Sequence, residues 1–204
     1  MNIEIKISNR LIPYITAIKL LEKRVKMMKT CKVKDLLWIL EHPTTYTAGI
    51  RSNKTEILDR KIKVISTNRG GKVTVHNPGQ KIIYFAINLN NKKKDIRHFI
   101  NIIEKSIIEF LEIYGIESNA DRKNIGIWVR DKKIAAIGIR VSKWIAYHGC
   151  SINIDNNLDK YKKIVPCGLQ NDKITSIKNE GIKTITNINN NLKKIFTRNL
   201  KIYF

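Results

Sequence analysis

The sequence predicts an α+β fold, in which helices accompany strands joined mainly as hairpins. Three observations carry this reading: stretches with apolar residues at helical spacing, short apolar or alternating runs bounded by turn residues, and a hairpin signal within "NIGIWVRDKKIAAIGIRV" at 124–141. A doubly wound sheet would alternate each strand with a crossover helix, and that rhythm is not present.

Taken in order, "IEIKIS" at 3–8 alternates and predicts an opening strand. Leu11 to Lys29 places Leu11, Ile15, Ile18, Leu21, Val25 and Met28 near helical spacing, and "DLLWILE" at 35–41 holds an apolar run suited to a buried strand. "KVIST" at 63–67 and "KIIYFAINL" at 81–89 predict strands on either side of a Gly-rich segment. Asp95 is the expected cap of a helix reaching about Tyr114, with Gly115 as its stop. Two strand-like runs flank Asp131 and Lys132, "WIAYHGCSINI" at 144–154 predicts a further strand, and a last helix is expected over Thr184–Thr197. With no repeat, linker or low-complexity tail, residues 1–204 read as one domain.

Cysteines at 31, 150 and 167 are an odd and widely spaced set, which suggests neither a disulfide framework nor a paired-cysteine zinc site and fits a reducing cytoplasm. The start "MNIEIKISNR" has no apolar run of signal-peptide length, and no stretch of 18 apolar residues predicts a membrane span. The net charge of +22 points to an anionic partner without naming it, because the lysines are spread through strands and helices alike. A nucleic-acid module would set aromatic residues among the basic ones, and aromatics make up only 7% of the chain with no such face visible.

Four segments are candidates for chemistry. "NRGGKVTVHNPGQ" at 68–80 holds three glycines, and its backbone can approach a ligand closely, with amides able to hold a carbonyl or phosphate oxygen; it also suits an ordinary turn-rich loop. It has neither Walker nor dinucleotide spacing. "EHPTTYTAG" at 41–49 leaves a strand through His42, either a satisfied turn histidine or a proton-transfer group. In "KKIAAIGIRVSKWIAYHGCSIN" at 132–153, Lys133 opens an apolar run where desolvation would lower a lysine pKa, unless it is a strand-edge lysine in solvent; Ala135, Ala136 and Gly138 leave room beside them. In "KKIVPCGLQ" at 162–170, Cys167 stands between a proline and a glycine, as a thiol presented by a rigid turn or a small buried hydrophobe. Cys31 and Cys150 read as structural.

Read together, "LEHPTTYTAG", "RGGKVTVHNPGQ", "GIWV", "KIAAIGIRVSKWIAYHG", "SINID", "IVPCGL" and "ITSI" occur in an order that resembles the octanoyltransferase family of lipoate biosynthesis. The resemblance implies the fold of biotin and lipoate protein ligases, an α+β domain with a mixed, largely antiparallel sheet flanked by helices. It implies transfer of an octanoyl group from octanoyl-acyl carrier protein, an acidic partner, to a lysine of lipoyl domains of 2-oxoacid dehydrogenases and the glycine cleavage H protein. Cys167 falls on the family's acyl-accepting cysteine and Lys133, not Lys132, on the lysine that tunes it. Arg69, Gly70, Gly71, Lys72, Val73, Thr74, Val75 and His76 fall on the loop around the acyl chain, with Ala136, Ile137, Gly138, Gly149, Cys150 and Ser151 lining the rest. Val75 departs from the family's usual tyrosine, Asn77 from its glycine, and Cys150 from a bulkier apolar residue. No metal, nucleotide or redox cofactor is implied. The ATP-using ligases are the nearest rivals, and "VPCGL" favours the transferase because adenylation needs no cysteine nucleophile.

Overall fold

The computed structural model describes residues 3–31, 33–90, 94–121, 124–166 and 173–203. A seven-stranded sheet forms the centre. It runs from β1 (Ile3–Leu11) through β2 (Asp35–Glu41), β6 (Gln80–Asn88), β10 (Ile145–Asn153), β9 (Lys132–Ser142) and β8 (Gly126–Val129) to β7 (Asn119–Ala120). Only β1 and β2 pair in parallel there; every other neighbour is antiparallel. A second, three-stranded sheet places β3 (Thr45–Ala48) between β4 (Val64–Ser66) and β5 (Val73–His76).

Alternation along the central strands divides the side chains between two cores. Leu36, Trp38 and Leu40 of β2, with Ile82, Tyr84 and Ala86 of β6, meet α1 (Tyr14–Met28) through Ala17, Leu21 and Val25. Leu37, Ile39, Ile83, Phe85 and Ile87 face the other way, onto α2 (Ile96–Glu112) and α3 (Ile188–Tyr203) through Phe99, Phe110, Phe196 and Leu200. Each large apolar side chain so buried contributes on the order of 1.5–3 kcal/mol relative to exposure.

The mixed, largely antiparallel sheet and the hairpin at Asp131 and Lys132 are as expected, with Arg130 in left-handed backbone at the turn (φ 54°). Asp95 caps α2 by accepting a hydrogen bond from His98 N at 3.0 Å, and Gly115 takes φ +69° beyond its end. Three expectations shift. Pro13, which cannot continue a helix backwards, stands just before α1, so Leu11 ends β1 and the buried stripe begins at Tyr14 and Ala17, leaving Ile15 exposed. Residues 184–187 precede α3 because Asn187 takes φ 56°, and the helix instead runs on to Tyr203. The Gly-rich segment, read as loop, contains β5, and β3 before it was not foreseen.

Candidate active site

Between the two sheets lies a cavity of about 190 Å³. Its floor is the α1 face of the central sheet, where strand pairing aligns Tyr84, Gly149 and Gly138 in one row and Ile82, Ser151 and Ala136 in the next. Thr74 and His76 of β5 cover it, and the tip of α1 adds Tyr14. Close backbone approach shapes this space. A Cβ on Gly149 would lie 1.8 Å from Ile83 O, and one on Gly70 would lie 2.9 Å from Ile139 O, so the Arg69–Gly71 turn rests directly on β9.

Arg69, which is buried, clasps that turn. Its guanidinium donates to Thr47 O at 2.9 Å, Gly70 O at 2.9 Å and Lys72 O at 2.8 Å. Desolvation, with a smaller contribution from the same buried charge, holds two cavity histidines neutral: His76 and His148 are both lowered to about 3. Desolvation comes first at each; at His76 the neighbouring His42 adds to it. His42 is itself lowered to about 4 by burial.

The hydrogen-bond chains fix their tautomers. Gln80 Nε2 donates to Asn153 Oδ1 at 2.9 Å, which turns Gln80 Oε1 to accept from His76 Nδ1 at 2.7 Å. His42 Nδ1 donates to Ile12 O at 2.6 Å, and its Nε2 accepts from the Tyr84 hydroxyl at 2.8 Å. His148 Nε2 donates to Asn68 Oδ1 at 2.6 Å while its backbone holds φ 66°, a left-handed conformation costly for a non-glycine residue. One end of the cavity therefore carries neutral His76 against Tyr14, with neutral His42 packed behind them on Tyr84, and neutral His148 lines the wall as well.

Lys133 stands at the other end. It is 6% exposed, and its ammonium donates to Ile125 O at 2.7 Å and lies 5.5 Å from the centre of the Trp128 ring. Gly126 makes room for it, since a Cβ there would lie 2.3 Å from Lys133 Cε. The strand carrying Lys133 also bridges to Ile174, and Thr175 N donates to Lys133 O at 3.0 Å. Pro166 and Ile174 line a small second cavity with Lys133.

The family model for the lipoyl protein ligase A/B catalytic domain matches residues 13–197. An octanoyltransferase from Bartonella bacilliformis is 41% identical over 209 residues, spanning 95% of this chain and 87% of that one. The chain belongs to the octanoyltransferase family. Another member, the octanoyltransferase of Wolbachia pipientis wMel, is also 41% identical, over 93% of this chain and 96% of its own. The fold extends beyond the family. A bipartite lipoate protein ligase from Thermoplasma acidophilum superposes with a TM-score of 0.76 at 15% identity, over 98% of this chain and 84% of that one. The biotin protein ligase of Aquifex aeolicus superposes at 0.52 and 15% identity, over 100% of this chain and 70% of that one.

Of the residues that the family resemblance singled out, Lys133, Arg69, Gly70, Gly71, Lys72, Thr74, His76, Ala136, Ile137, Gly138, Gly149, Cys150 and Ser151 all line the one cavity. Val73 and Val75 do not. They point to the far side of β5 and pack with Tyr46, Tyr161 and Ile164, so the departure from tyrosine at Val75 falls in a buried apolar cluster. Cys167 lies outside the described residues. Cys150 is buried, and burial pushes its thiol well up, away from nucleophilic use. Tyr14, Tyr84 and His148 line the cavity without having been singled out from sequence; His148 lay inside a quoted stretch, and only folding brings Tyr14 and Tyr84 beside it. Among the described residues no helix is long and apolar enough to cross a membrane.

Proposed function

We propose that residues 1–204 act as one catalytic unit that takes the octanoyl group from octanoyl-acyl carrier protein onto Cys167 and passes it to a lysine of a lipoyl domain. Buried Lys133 at one end of a cavity that is partly open to solvent is the observation that carries this reading. Its width suits the cargo: an extended eight-carbon chain is about 10 Å long with carbon–carbon bonds of about 1.5 Å, and two strand spacings of about 4.8 Å separate β6 from β9. Pro166, the residue before Cys167 in the chain, shares the small cavity with Lys133, which supports pairing the two in one dyad.

In this mechanism the Lys133 ammonium favours the Cys167 thiolate, which attacks the octanoyl thioester. The carbon–sulfur bond to the carrier breaks, and the departing thiolate takes a proton from Lys133. Neutral Lys133 then receives the proton that the acceptor amine must lose as the amide forms, and the Cys167 thiolate leaves. The cycle ends with the starting ion pair restored. Acceptors of this kind include the lipoyl domains of 2-oxoacid dehydrogenases and the glycine cleavage H protein.

Intact-mass measurement after mixing with octanoyl-acyl carrier protein tests it. Wild type is expected to gain one octanoyl group on the 162–170 peptide; Cys167→Ala is expected to lose both the adduct and transfer, and Cys31→Ala, at an exposed site, to keep both. An adduct that survives Cys167→Ala refutes the assignment. Dependence of transfer on ATP would point instead to ligase chemistry.

A further inference from the structure

The second cavity measures about 10 Å³, the room of a single water and too little for a substrate group. Thr74, Lys133, Ala136 and Ser151 line both this space and the large cavity, so they form the partition between the two, and three of the four carry polar side chains. Thr74 and Ser151 are each 8% exposed, and neither hydroxyl is hydrogen-bonded to another described residue. Neither hydroxyl is sealed off completely, so each can take a water as its partner. Lys133 uses one N–H on Ile125 O at 2.7 Å and keeps others for the partition. A water there would meet an ammonium and two hydroxyls, the two to four polar partners that a buried water requires.

We propose that Thr74 and Ser151 hold one water against Lys133 Nζ, and that this water relays the acceptor amine's proton in the second transfer. The proposal rests on the covalent reading above. As the amine nitrogen bonds to the thioester carbon, the carbonyl π pair moves to oxygen. One N–H proton passes to the water while the water gives one of its own to neutral Lys133. The carbonyl re-forms, the carbon–sulfur bond breaks, and the sulfur leaves as thiolate beside the new ammonium. The Ile125 carbonyl anchors Lys133 Nζ, so the lysine cannot follow an amine arriving on a flexible partner side chain, whereas a water can turn to meet it. Thr74 and Ser151 are thus positioning residues for a proton carrier.

The test separates the two half-reactions. Wild type, Thr74→Val, Thr74→Ser and Ser151→Ala are loaded in single-turnover reactions with the octanoyl thioester of a small thiol, then chased with a purified lipoyl domain across a pH series. Thr74→Val and Ser151→Ala are expected to slow the chase by at least about tenfold more than the loading, at the low end of what acid–base groups contribute. The acidic limb of the chase profile, where the proton acceptor becomes protonated, is expected to shift in those variants, and Thr74→Ser to restore the chase to within about threefold of wild type. Loading and chase slowed equally, or neither slowed, overturns the relay and leaves the two residues a packing role. Should Thr74→Val not fold, the ratio for Ser151→Ala decides alone. Absence of a wild-type adduct on the 162–170 peptide would instead bring down the covalent reading, visibly and before any variant is compared.

Discussion

Gly149 is the least replaceable cavity residue, because a Cβ at 1.8 Å from Ile83 O cannot exist without moving β10 off β6. Gly149→Ala is expected to destabilise by at least about 3 kcal/mol, whereas Gly138→Ala, whose Cβ would meet Gly70 O at 3.2 Å, asks for a smaller adjustment. Denaturant midpoints of the two variants compare them, and equal losses would contradict the geometry. The histidines make a second prediction. His42, His76 and His148 are held neutral in the fold, near 4, 3 and 3, against an ordinary 6.5. Below pH 6.5 the unfolded chain therefore binds more protons than the native one, so stability present above 6.5 falls as pH drops toward 3. Each such group contributes a slope of at most about 1.4 kcal/mol per pH unit. Most carboxylates titrate lower, so the window between about pH 6.5 and 5 reports mainly on these rings. Melting temperature should decline steadily across it, and a flat profile would show the rings to be hydrated.

Among the elements, β8 serves the site through Gly126, which keeps φ +148° and leaves Lys133 its berth. Gly126→Ala is expected to displace the Lys133 side chain and slow single-turnover acylation by about tenfold or more, with far-UV dichroism little changed; unaltered acylation would show that the lysine has slack. Such an effect was partly legible in the sequence. Lys133 and the Gly-rich segment stand out through the ordered family motifs, since taken alone a strand-edge lysine and a turn-rich loop explain them as well, and α2 announces itself by Asp95 and an apolar stripe ending at Gly115. β5 was hidden because its neighbours Gly70, Gly71 and Gly79 read as turn, while its strand character comes from pairing with β3, nearly thirty residues earlier. The aromatic cluster was illegible for a similar reason: Tyr14, His42, His76 and Tyr84 belong to four different local patterns, and only the sheet pairing and the tip of α1 bring them together. Val73 and Val75 show the converse, since one adjacent position decides cavity or core in a strand.

For the whole molecule, the excess of 22 positive charges would act at long range on the acidic carrier proposed as donor and hardly at all on a small neutral thioester. Raising salt from about 50 to 300 mM, across which the Debye length shortens appreciably, is expected to raise KM for octanoyl-acyl carrier protein several-fold more than KM for the small-thiol ester. Equal changes would deny the charge a steering role. The central sheet has a different kind of consequence. One of its sides carries the cavity and α1, the other the paired helices α2 and α3, and alternation assigns most residues of a strand to a single tenant. Mutational drift on the helix-pair side can thus trade away robustness while leaving catalytic taste untouched, and an engineer could repay that loss without retuning the enzyme. Cys150, packed in the larger core yet also lining the cavity, is where the two sides meet, and a change there would be felt in both.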